Sequence, residues 1–328
     1  MQFQKVISLI KERDVRLVNI LCHHNADPDA LYSAFALARL LKKFIYGIRI
    51  EIAAAQGISQ LTKHLQNYLK VDFTLEPRIE EANIIIILDT NTLQQLDDWQ
   101  DRIKRSDSPL IVVDHHARHP ETERVASLIY ADERASSTCE IVYGFYKEMG
   151  VKPDLDEAYA MFIGIAYDTR HFILANSNTF KTIAELVEIG VNAEEALGWL
   201  SLPMNTPERI ARLKASQRMR LLEIGGWIIA FSNVSAYQAS SARALVSLGA
   251  HVAIVAGEKR SARQISLRAS PVFHKETKIH LGRDIAEPLG RILKGMGGGH
   301  STSAGVNGFG DIETAFTQCE ALLRKLLG

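Results

Sequence analysis

The chain of 328 residues is poor in cysteine and carries no net charge. Its three cysteines, Cys22, Cys139 and Cys319, are odd in number and show no paired spacing, which argues against a disulfide framework and a cysteine-based zinc site. Lysine and arginine together number 38, as do aspartate and glutamate, so the basic excess of proteins that track long nucleic acids is missing. Long polymers are therefore not the first substrate to expect.

Long apolar runs are also missing. No stretch approaches the roughly 20 apolar residues that a membrane-spanning helix needs. Charges are scattered through residues 1–21, which does not fit a signal peptide. We therefore expect no membrane partner and a cytoplasmic location. Hydrophobic residues still make up 47% of the sequence, enough to build globular domains.

Short apolar segments alternate with helical patterns in the first half of the chain. Continuous apolar strands separated by helices are typical of a parallel sheet that is covered on both faces. The expected fold class is therefore α/β, with a doubly wound parallel sheet in the N-terminal domain. The predicted strands are residues 15–22, 48–54, 84–89 and 110–114, and the predicted helices are 30–44, 59–69 and most of 137–200.

A proline-containing break at residues 203–207 predicts a domain boundary. We assign residues 1–200 to the first domain, 201–223 to a linker whose helix covers 208–223, and 224–328 to a smaller α/β domain. In the last of these, the pattern predicts strands at 226–235, 251–256 and 263–269, with helices near 236–248 and 283–294.

Three of the predicted strands end in side chains that can bind a metal. In an open parallel sheet, ligands bind in the loops beyond the carboxyl ends of the strands. The first strand leads into the sequence HHNADPD at residues 23–29, the third ends at Asp89, and the fourth leads into Asp114, His115 and His116.

A single aspartate at a strand end is commonplace, because aspartate favours turns and helix N-caps. Asp27 alone, with Pro28 at the first helical position, fits an N-cap as well as a metal ligand. Three strand ends that carry aspartate and histidine together are much harder to explain by capping. The predicted metal ligands are His23, Asp27, Asp29, Asp89, His115 and Asp168.

Carboxylates and imidazoles without a thiolate suit Mn²⁺ or Mg²⁺ better than a structural zinc ion. Four carboxylates balance two divalent cations, whereas the same carboxylates without metal would repel one another. Two metals about 3.5–4 Å apart can clamp an in-line displacement at phosphorus. Asp89, alone at the end of its strand, is the natural residue to bridge them.

These motifs resemble those of a known family, the DHH phosphoesterases. Residues 297–300 (GGGH), with Ser266-Leu267-Arg268 upstream, resemble the DHH-associated C-terminal domain. Within the family, the two-domain arrangement is most similar to nanoRNases that also dephosphorylate 3′-phosphoadenosine 5′-phosphate. It is also similar to phosphodiesterases of cyclic di-AMP or its linear product. The matching motifs are His23-x-x-x-Asp27-x-Asp29-Ala30, Asp89, Asp114-His115-His116 and Gly164-Ile165-x-x-Asp168-Thr169.

The resemblance implies two Mn²⁺ ions, with Mg²⁺ or Co²⁺ as substitutes, and a hydroxide between them as the nucleophile. It also implies that Asp114 orients His115 and that His116 faces the phosphate, so that these residues and Asp89 form the catalytic set. One metal would be held by His23, Asp27 and Asp89, and the other by Asp29, Asp89, His115 and Asp168.

The glycine run has a physical interpretation of its own. Consecutive glycines can turn backbone N–H groups toward an anion, and a helix that starts at residues 301–304 would add its dipole. Taken alone, the run also fits a flexible loop. The resemblance favours a phosphate grip, placed with the metals in a cleft between the domains, where it would measure substrate length. The predicted substrate-binding residues are Arg170, Arg268, Ser270, Gly298, Gly299 and His300.

Four departures from the family pattern leave the predicted ligands intact. We expect each to lie where a base or a second phosphate sits, so they leave the exact substrate open. Tyr32 stands where glycine is usual, Ala26 where proline is usual, Arg170-His171-Phe172 follows Asp168-Thr169 in place of glycine, and Ala269 separates Arg268 from Ser270.

The expected activity is Mn²⁺-dependent hydrolysis of short oligonucleotides, of adenosine 3′,5′-bisphosphate, or of both. A cyclic di-AMP or pApA phosphodiesterase and a single-strand exonuclease of RecJ type are alternatives, the latter disfavoured by the neutral charge. Inorganic pyrophosphatases share the metal motifs but not the Gly-His segment. A nucleotide-binding regulator without catalysis is disfavoured by the complete ligand set. The preferred base and whether the chain forms a homodimer stay open.

Overall fold

The structure is a computed structural model that describes residues 3–13, 15–259 and 262–328. The chain divides into two units, Met1–Leu202 and Pro203–Gly328, each with its own apolar core. The division falls beside the proline-containing break in the sequence. None of the helices in the described ranges has the length and apolar character that a membrane crossing requires.

The first unit contains a five-stranded parallel sheet, in the order β2-β1-β3-β4-β5. The predicted parallel α/β fold is confirmed, although the edge strand β5 and helix α1 were not predicted. The strands are β1 (Leu17–Cys22), β2 (Arg49–Ala54), β3 (Ile84–Leu88), β4 (Leu110–Asp114) and β5 (Leu128–Ala131), and the helices are α1 (Phe3–Glu12), α2 (Pro28–Phe44), α3 (Gln60–Leu65), α4 (Trp99–Arg105), α5 (Pro120–Val125), α6 (Thr138–Glu148), α7 (Leu155–Asp168), α8 (Ser177–Ile189) and α9 (Ala193–Trp199).

Helices cover both faces of this sheet, which explains why its central strand β3 is apolar throughout. Ile84, Ile86 and Leu88 of β3 belong to a core shared with α2, α6 and α7, whereas Ile85 and Ile87 belong to a smaller core shared with α4. The alternation follows the two-residue period of a strand. The sheet is therefore doubly wound, as predicted.

The strand register brings the predicted ligand-bearing ends together. Cys22 is paired with Leu88, and Leu88 is paired with Val113, so β1, β3 and β4 end at the same level. Because the strands are parallel, the residues that follow them emerge at one edge of the sheet.

The second unit contains a six-stranded mixed sheet, in the order β10-β11-β9-β8-β7-β6, in which only the β7–β8 pair is parallel. A single π-helical turn, Leu281–Ala286, precedes α13 where one helix over 283–294 was predicted. The strands are β6 (Arg220–Ile224), β7 (Trp227–Asn233), β8 (Val252–Lys259), β9 (Ala262–Ala269), β10 (Met296–Gly299) and β11 (Ser303–Gly308), and the helices are α10 (Thr206–Gln217), α11 (Gln238–Ser247), α12 (Pro271–Thr277), α13 (Glu287–Ile292) and α14 (Ile312–Leu327).

One predicted helix of this unit is shorter than expected, and another is absent from the described residues. The helix predicted over 208–223 ends at Gln217, because Gly225 and Gly226, both with positive φ, form a turn that folds β6 back onto β7. No helix starts at residues 301–304, because Ala304, Val306 and Gly308 are buried while the residues between them are exposed. That two-residue period belongs to a strand, and β11 pairs with the glycine run as a hairpin.

Candidate metal centre

The loop after β1 carries the first two predicted ligands. Asp27 is the N-cap of α2: its Oδ1 accepts a hydrogen bond from the Ala30 N–H at 3.1 Å, and Pro28 occupies the first turn. Its other oxygen, Oδ2, lies 3.9 Å from Nε2 of His23. Capping and ligand binding are therefore not exclusive for Asp27, because each uses a different carboxylate oxygen.

Asp89 lies at the centre of the predicted site and is only 4% exposed. Its φ of 57° is in the left-handed region, which aspartate tolerates better than most residues and which turns the chain sharply after β3. Its Oδ2 lies 3.7 Å from Nε2 of His23, and its Oδ1 lies 3.5 Å from Nε2 of His115. The two oxygens of this carboxylate thus face two different imidazoles.

The remaining predicted ligands come from helices α2 and α7 and from the end of β4. Nε2 of His115 lies 3.0 Å from Oδ2 of Asp168. It is buried, yet no group in the described part of the chain is aligned to hydrogen-bond with it. Potential ligand atoms lie within 4.8 Å of one another in three sets: His23, Asp27 and Asp89; Asp29, Asp89, His115 and Asp168; and Asp89, Asp114, His115 and His116.

All three sets share Asp89, and the first two have the membership that the resemblance implied. Burial and neighbouring charges dominate their electrostatics. Burial and the carboxylate of Asp168 raise the pKa of Asp29 to about 7, and burial with Asp29 raises the pKa of Asp89 well above its usual range. Burial lowers the pKa of His115, but its acidic neighbours raise it by more, so the net direction is upward. Four carboxylates beside two imidazoles, with no lysine or arginine among these ligands, fit a cation of the Mn²⁺ class.

The prediction that Asp114 orients His115 is wrong. Oδ1 of Asp114 accepts hydrogen bonds from Nδ1 of His116 at 2.8 Å and from the His116 N–H at 3.2 Å. The bond from the His116 N–H is that of an Asx turn, in which an aspartate side chain binds the N–H two residues on, whereas Nε2 of His115 lies near Asp89 and Asp168. Asp114 is fully buried, and it raises the pKa of His116.

His116 lies beside a cavity of about 310 Å³ next to Asp89. The His116 side chain is 58% exposed, so it remains accessible while Asp114 fixes its ring. The cavity is lined by Asp89, Thr90, Asn91, Gln95, Asp114, His116 and Ala117.

Thr138, at the start of α6, was not recognised from the sequence. Its hydroxyl donates a hydrogen bond to Oδ1 of Asp89 at 2.9 Å, and its backbone N–H donates one to Asp29 at 2.6 Å. The spacing of Ser137 and Glu140 is a signature of a helix start. That signature predicts the cap, but it does not tell which carboxylates the cap will meet.

Three departures from the family pattern have different structural outcomes. Tyr32 and Ala26 are completely buried, and the Tyr32 hydroxyl donates to the Leu69 carbonyl. The expectation that these two residues lie beside the substrate is therefore wrong. The reason is that Tyr32 lies on the face of α2 that enters the core. Arg170 is exposed just after Asp168, and it begins a turn in which it, His171 and Phe172 have φ values of 51°, 57° and 69°.

In the second unit, Arg268 and His300 both lie beside Ser303. Arg268 of β9 is paired with Ser303 of β11, and the His300 N–H donates to the Ser303 carbonyl at 2.7 Å. Burial lowers the pKa of Arg268, and His300 is exposed. The sheet thus brings Arg268 and His300, two of the predicted substrate-binding residues, to the same end.

Gly298, Gly299 and Ser270 have different structural roles. A Cβ on Gly298 would meet no described atom within 4 Å, whereas one on Gly299, with φ of 138°, would lie 2.5 Å from the Ser303 carbonyl oxygen. The Ser270 side chain caps α12, accepting from the Phe273 N–H at 3.3 Å. Packing therefore explains Gly299 and capping explains Ser270, while no packing contact explains Gly298.

Comparison with known proteins accords with this geometry. Residues 17–165 match the N-terminal domain of the DHH family. The chain is 35% identical over 292 residues to the uncharacterized protein MJ0988 of Methanocaldococcus jannaschii, a match that covers 88% of this chain and 86% of that one. The chain belongs to the DHH family. As a DHH protein it is a hydrolase of phosphoester bonds.

Two further DHH relatives carry functional names. The chain is 26% identical to the cyclic-di-AMP phosphodiesterase GdpP of Geobacillus thermodenitrificans over 313 residues, which are 90% of this chain but only 45% of that longer protein. It is 28% identical to the bifunctional oligoribonuclease and PAP phosphatase NrnA of Bacillus subtilis over 183 residues, 54% of this chain and 55% of that one.

Proposed function

We propose that the chain is a Mn²⁺-dependent phosphoesterase that uses two metal ions to hydrolyse short oligoribonucleotides and adenosine 3′,5′-bisphosphate. The observation that carries this proposal is the position of Asp89, whose two oxygens lie 3.7 Å from His23 and 3.5 Å from His115. A carboxylate between two ligand sets is what a two-metal site requires. In a single-metal site, one of the two imidazoles would have no metal ion to bind.

In this proposal, His23, Asp27 and Asp89 hold one ion, and Asp29, Asp89, His115 and Asp168 hold the other. Two such ions, when bound, supply a nucleophilic hydroxide at neutral pH and neutralise charge on the phosphoryl group. The protein contributes a fixed, mostly buried set of ligands, of which Asp29 and Asp89 are the most enclosed.

His116 is proposed to contact the phosphoryl group directly. Asp114 favours the protonated form of its ring, so Nε2 has a hydrogen to donate toward the adjoining cavity. A protonated imidazole suits a non-bridging phosphoryl oxygen, because a charge-assisted hydrogen bond is about twice as strong as a neutral one. Asp114 then acts by holding His116, rather than His115.

The size of the substrate follows from the cavity and the charge. A cavity of about 310 Å³ is at the lower end of small-molecule sites and suits a nucleotide-sized group. The chain also lacks the overall basic excess that a long polymer requires. The substrates named for GdpP and NrnA are likewise short. In the second unit, Arg268, His300 and Gly298 are proposed to bind phosphate. In the first unit, Arg170 is proposed to approach the substrate from the turn after α7.

A substrate panel tests the proposal. The purified chain is stripped with EDTA and assayed by chromatography on a 3-mer RNA, a 30-mer RNA, adenosine 3′,5′-bisphosphate and cyclic di-AMP, with Mn²⁺, Mg²⁺ or chelator. We expect turnover of the 3-mer and of the bisphosphate with Mn²⁺ and none with chelator. Processive degradation of the 30-mer would instead support an exonuclease, and saturable nucleotide binding without turnover would support a regulator.

A cyclic di-AMP phosphodiesterase is the second candidate. It is favoured by the length of the GdpP match, which runs over 90% of this chain, compared with 54% for NrnA. The same panel separates the two, because cyclic di-AMP has no terminal phosphate and the bisphosphate has no phosphodiester.

A further inference from the structure

The start of α6 lies against two of the six predicted metal ligands. Ser137, Thr138 and Cys139 are fully buried, and the Ser137 hydroxyl oxygen caps the helix by accepting from the Glu140 N–H at 3.1 Å. The first N–H groups of a helix have no partner within it. Here two of these N–H groups are satisfied by a carboxylate of the metal centre.

That carboxylate belongs to Asp29, whose two oxygens are both held. The Thr138 N–H donates to Oδ2 at 2.6 Å, and the Cys139 N–H donates to Oδ1 at 2.9 Å. Two separate donors prevent the carboxylate from rotating about its bond to Cβ.

The Thr138 side chain reaches the second carboxylate. Its hydroxyl donates to Oδ1 of Asp89 at 2.9 Å, and this is the oxygen that faces His115. The other oxygen of Asp89 faces His23. One residue therefore holds Asp29 through its backbone and Asp89 through its side chain, and both ligands belong to the same set of four.

The start of α6 is itself held in place. Oε2 of Glu140 accepts hydrogen bonds from the Ser136 N–H at 3.0 Å, from the Ser136 hydroxyl at 2.6 Å and from the Thr179 hydroxyl of α8 at 3.1 Å. Thr138 thus extends from a helix end with little freedom to shift.

Helix α7 packs against Asp29 and against Cys139 at the start of α6. A Cβ on Gly164 would lie 2.3 Å from Sγ of Cys139 and 2.8 Å from Oδ1 of Asp29, so α7 approaches at a distance that only glycine allows. The same helix carries Asp168 at its end. Close packing of α7 on α6 therefore places ligands from two helices in one arrangement.

We infer that Thr138 is a positioning residue of the metal centre, fixing the carboxylate of Asp89 so that each of its oxygens is presented to a different ion. The inference rests on the proposed two-metal function. Hydrogen-bond partners of metal ligands orient them before the metal arrives, and their loss typically weakens metal binding by about 10- to 100-fold. Thr138 contacts neither substrate nor metal in this role.

Mn²⁺ binding to the stripped, full-length chain tests the inference without relying on turnover. Thr138→Val removes the hydroxyl and keeps the shape, Thr138→Ser restores a hydroxyl, and Thr182→Val makes the same change at a buried threonine of α8 outside the centre. By calorimetry we expect about 10- to 100-fold weaker Mn²⁺ binding for Thr138→Val. Thr138→Ser and Thr182→Val should stay within about threefold of the wild type. If Thr138→Val does not fold, Thr138→Ala replaces it with the same expected loss.

A merely structural role for Thr138 gives a different result. It would lower the Tm of the stripped protein and leave the Mn²⁺ affinity of the folded variant unchanged, and that outcome overturns the inference. Wild-type chain that binds no Mn²⁺ would overturn the proposed function itself. Wild-type chain that binds Mn²⁺ and hydrolyses substrate, beside a Thr138→Val variant of equal affinity, overturns the positioning role alone.

Discussion

The buried acidic residues of the first unit and the predicted phosphate-binding residues of the second are held in different ways. In the first, Asp29 and Asp114 are fully buried and Asp89 is 4% exposed, and each is tied by hydrogen bonds to a neighbouring element or residue. In the second, His300 is exposed and Gly298 has open space beside it. Groups that stabilise the transition state raise kcat, whereas groups that bind substrate and transition state equally lower KM. We assign the buried metal ligands to the first kind and the exposed phosphate-binding groups to the second. We therefore expect substitutions of the buried acidic residues in the first unit to lower kcat, and substitutions of the phosphate-binding residues in the second to raise KM.

The largest effect is expected for Asp89→Asn. Asparagine also tolerates the left-handed backbone at this position, so the fold is kept while the charge between the two ligand sets is lost. We expect kcat with Mn²⁺ to fall by at least about 10²- to 10³-fold. The control is Asp97→Asn, the same change at another left-handed aspartate, with φ of 48°, outside the centre. A loss of less than tenfold in Asp89→Asn would remove Asp89 from the bridging role.

Arg268→Gln should show the opposite kinetic pattern. Loss of one charge-assisted hydrogen bond to a phosphate corresponds to about a 10- to 100-fold rise in KM, with kcat nearly unchanged. Arg263→Gln is the matched control, because Arg263 lies at the other end of β9 and pairs with Glu258 at 2.9 Å. If steady-state kinetics place the loss in kcat instead, the contrast between the units fails.

Alanine substitutions in the glycine run can distinguish a packing role from a role in substrate binding. A Cβ on Gly297 would lie 1.8 Å from the Ala286 carbonyl oxygen, so Gly297→Ala should lower the free energy of unfolding by about 1–3 kcal/mol. Gly298→Ala should change it by less than about 0.5 kcal/mol. Urea denaturation measures both. A raised KM in Gly298→Ala at unchanged stability would sharpen the binding assignment, and equal destabilisation of the two variants would contradict it.

The smallest effect concerns pH. The pKa of Asp29 is raised from 3.8 to about 7, so between these values the folded metal-free chain holds more protons than the unfolded chain. Its contribution to stability therefore decreases as pH rises through that range. Mn²⁺ replaces the proton and offsets the loss. We expect the Tm gain on adding Mn²⁺ to be larger at pH 8 than at pH 5, whereas a gain that is constant with pH would count against this carboxylate as a ligand.

Much of the first unit could be predicted from the sequence because its signals are local. Buried parallel strands leave continuous apolar runs, and their ends meet at one edge whatever the intervening loops contain. The contacts of Asp114 and Thr138 could not be predicted in this way. Asp114 lies beside both His115 and His116 in sequence, and only the backbone direction at the end of β4 decides between them.

The second unit was harder for a physical reason. β10 consists of Met296 and three glycines, which carry no apolar pattern, and the hairpin partner β11 alternates over only six residues. Consecutive glycines before a polar segment therefore fitted a loop and a helix start as well as a strand. The pairing of β11 with β9, which brings Arg268 beside Ser303, is a long-range contact that no local pattern encodes.

The contact between Asp29 and α6 also has a consequence for how the chain is made. Asp29 lies in the first turn of α2, and its two N–H donors appear 109 and 110 positions later. A nascent polypeptide that has emerged only as far as β4 contains β1, α2 and most of the sheet, yet its Asp29 has nothing to bind. Burying a carboxylate without partners costs roughly several kcal/mol, so docking of α2 becomes more favourable once the start of α6 is in place. A fragment that stops before residue 137 contains α2 but lacks both donors to Asp29, so a helix from the second half of the first unit completes the surroundings of this carboxylate.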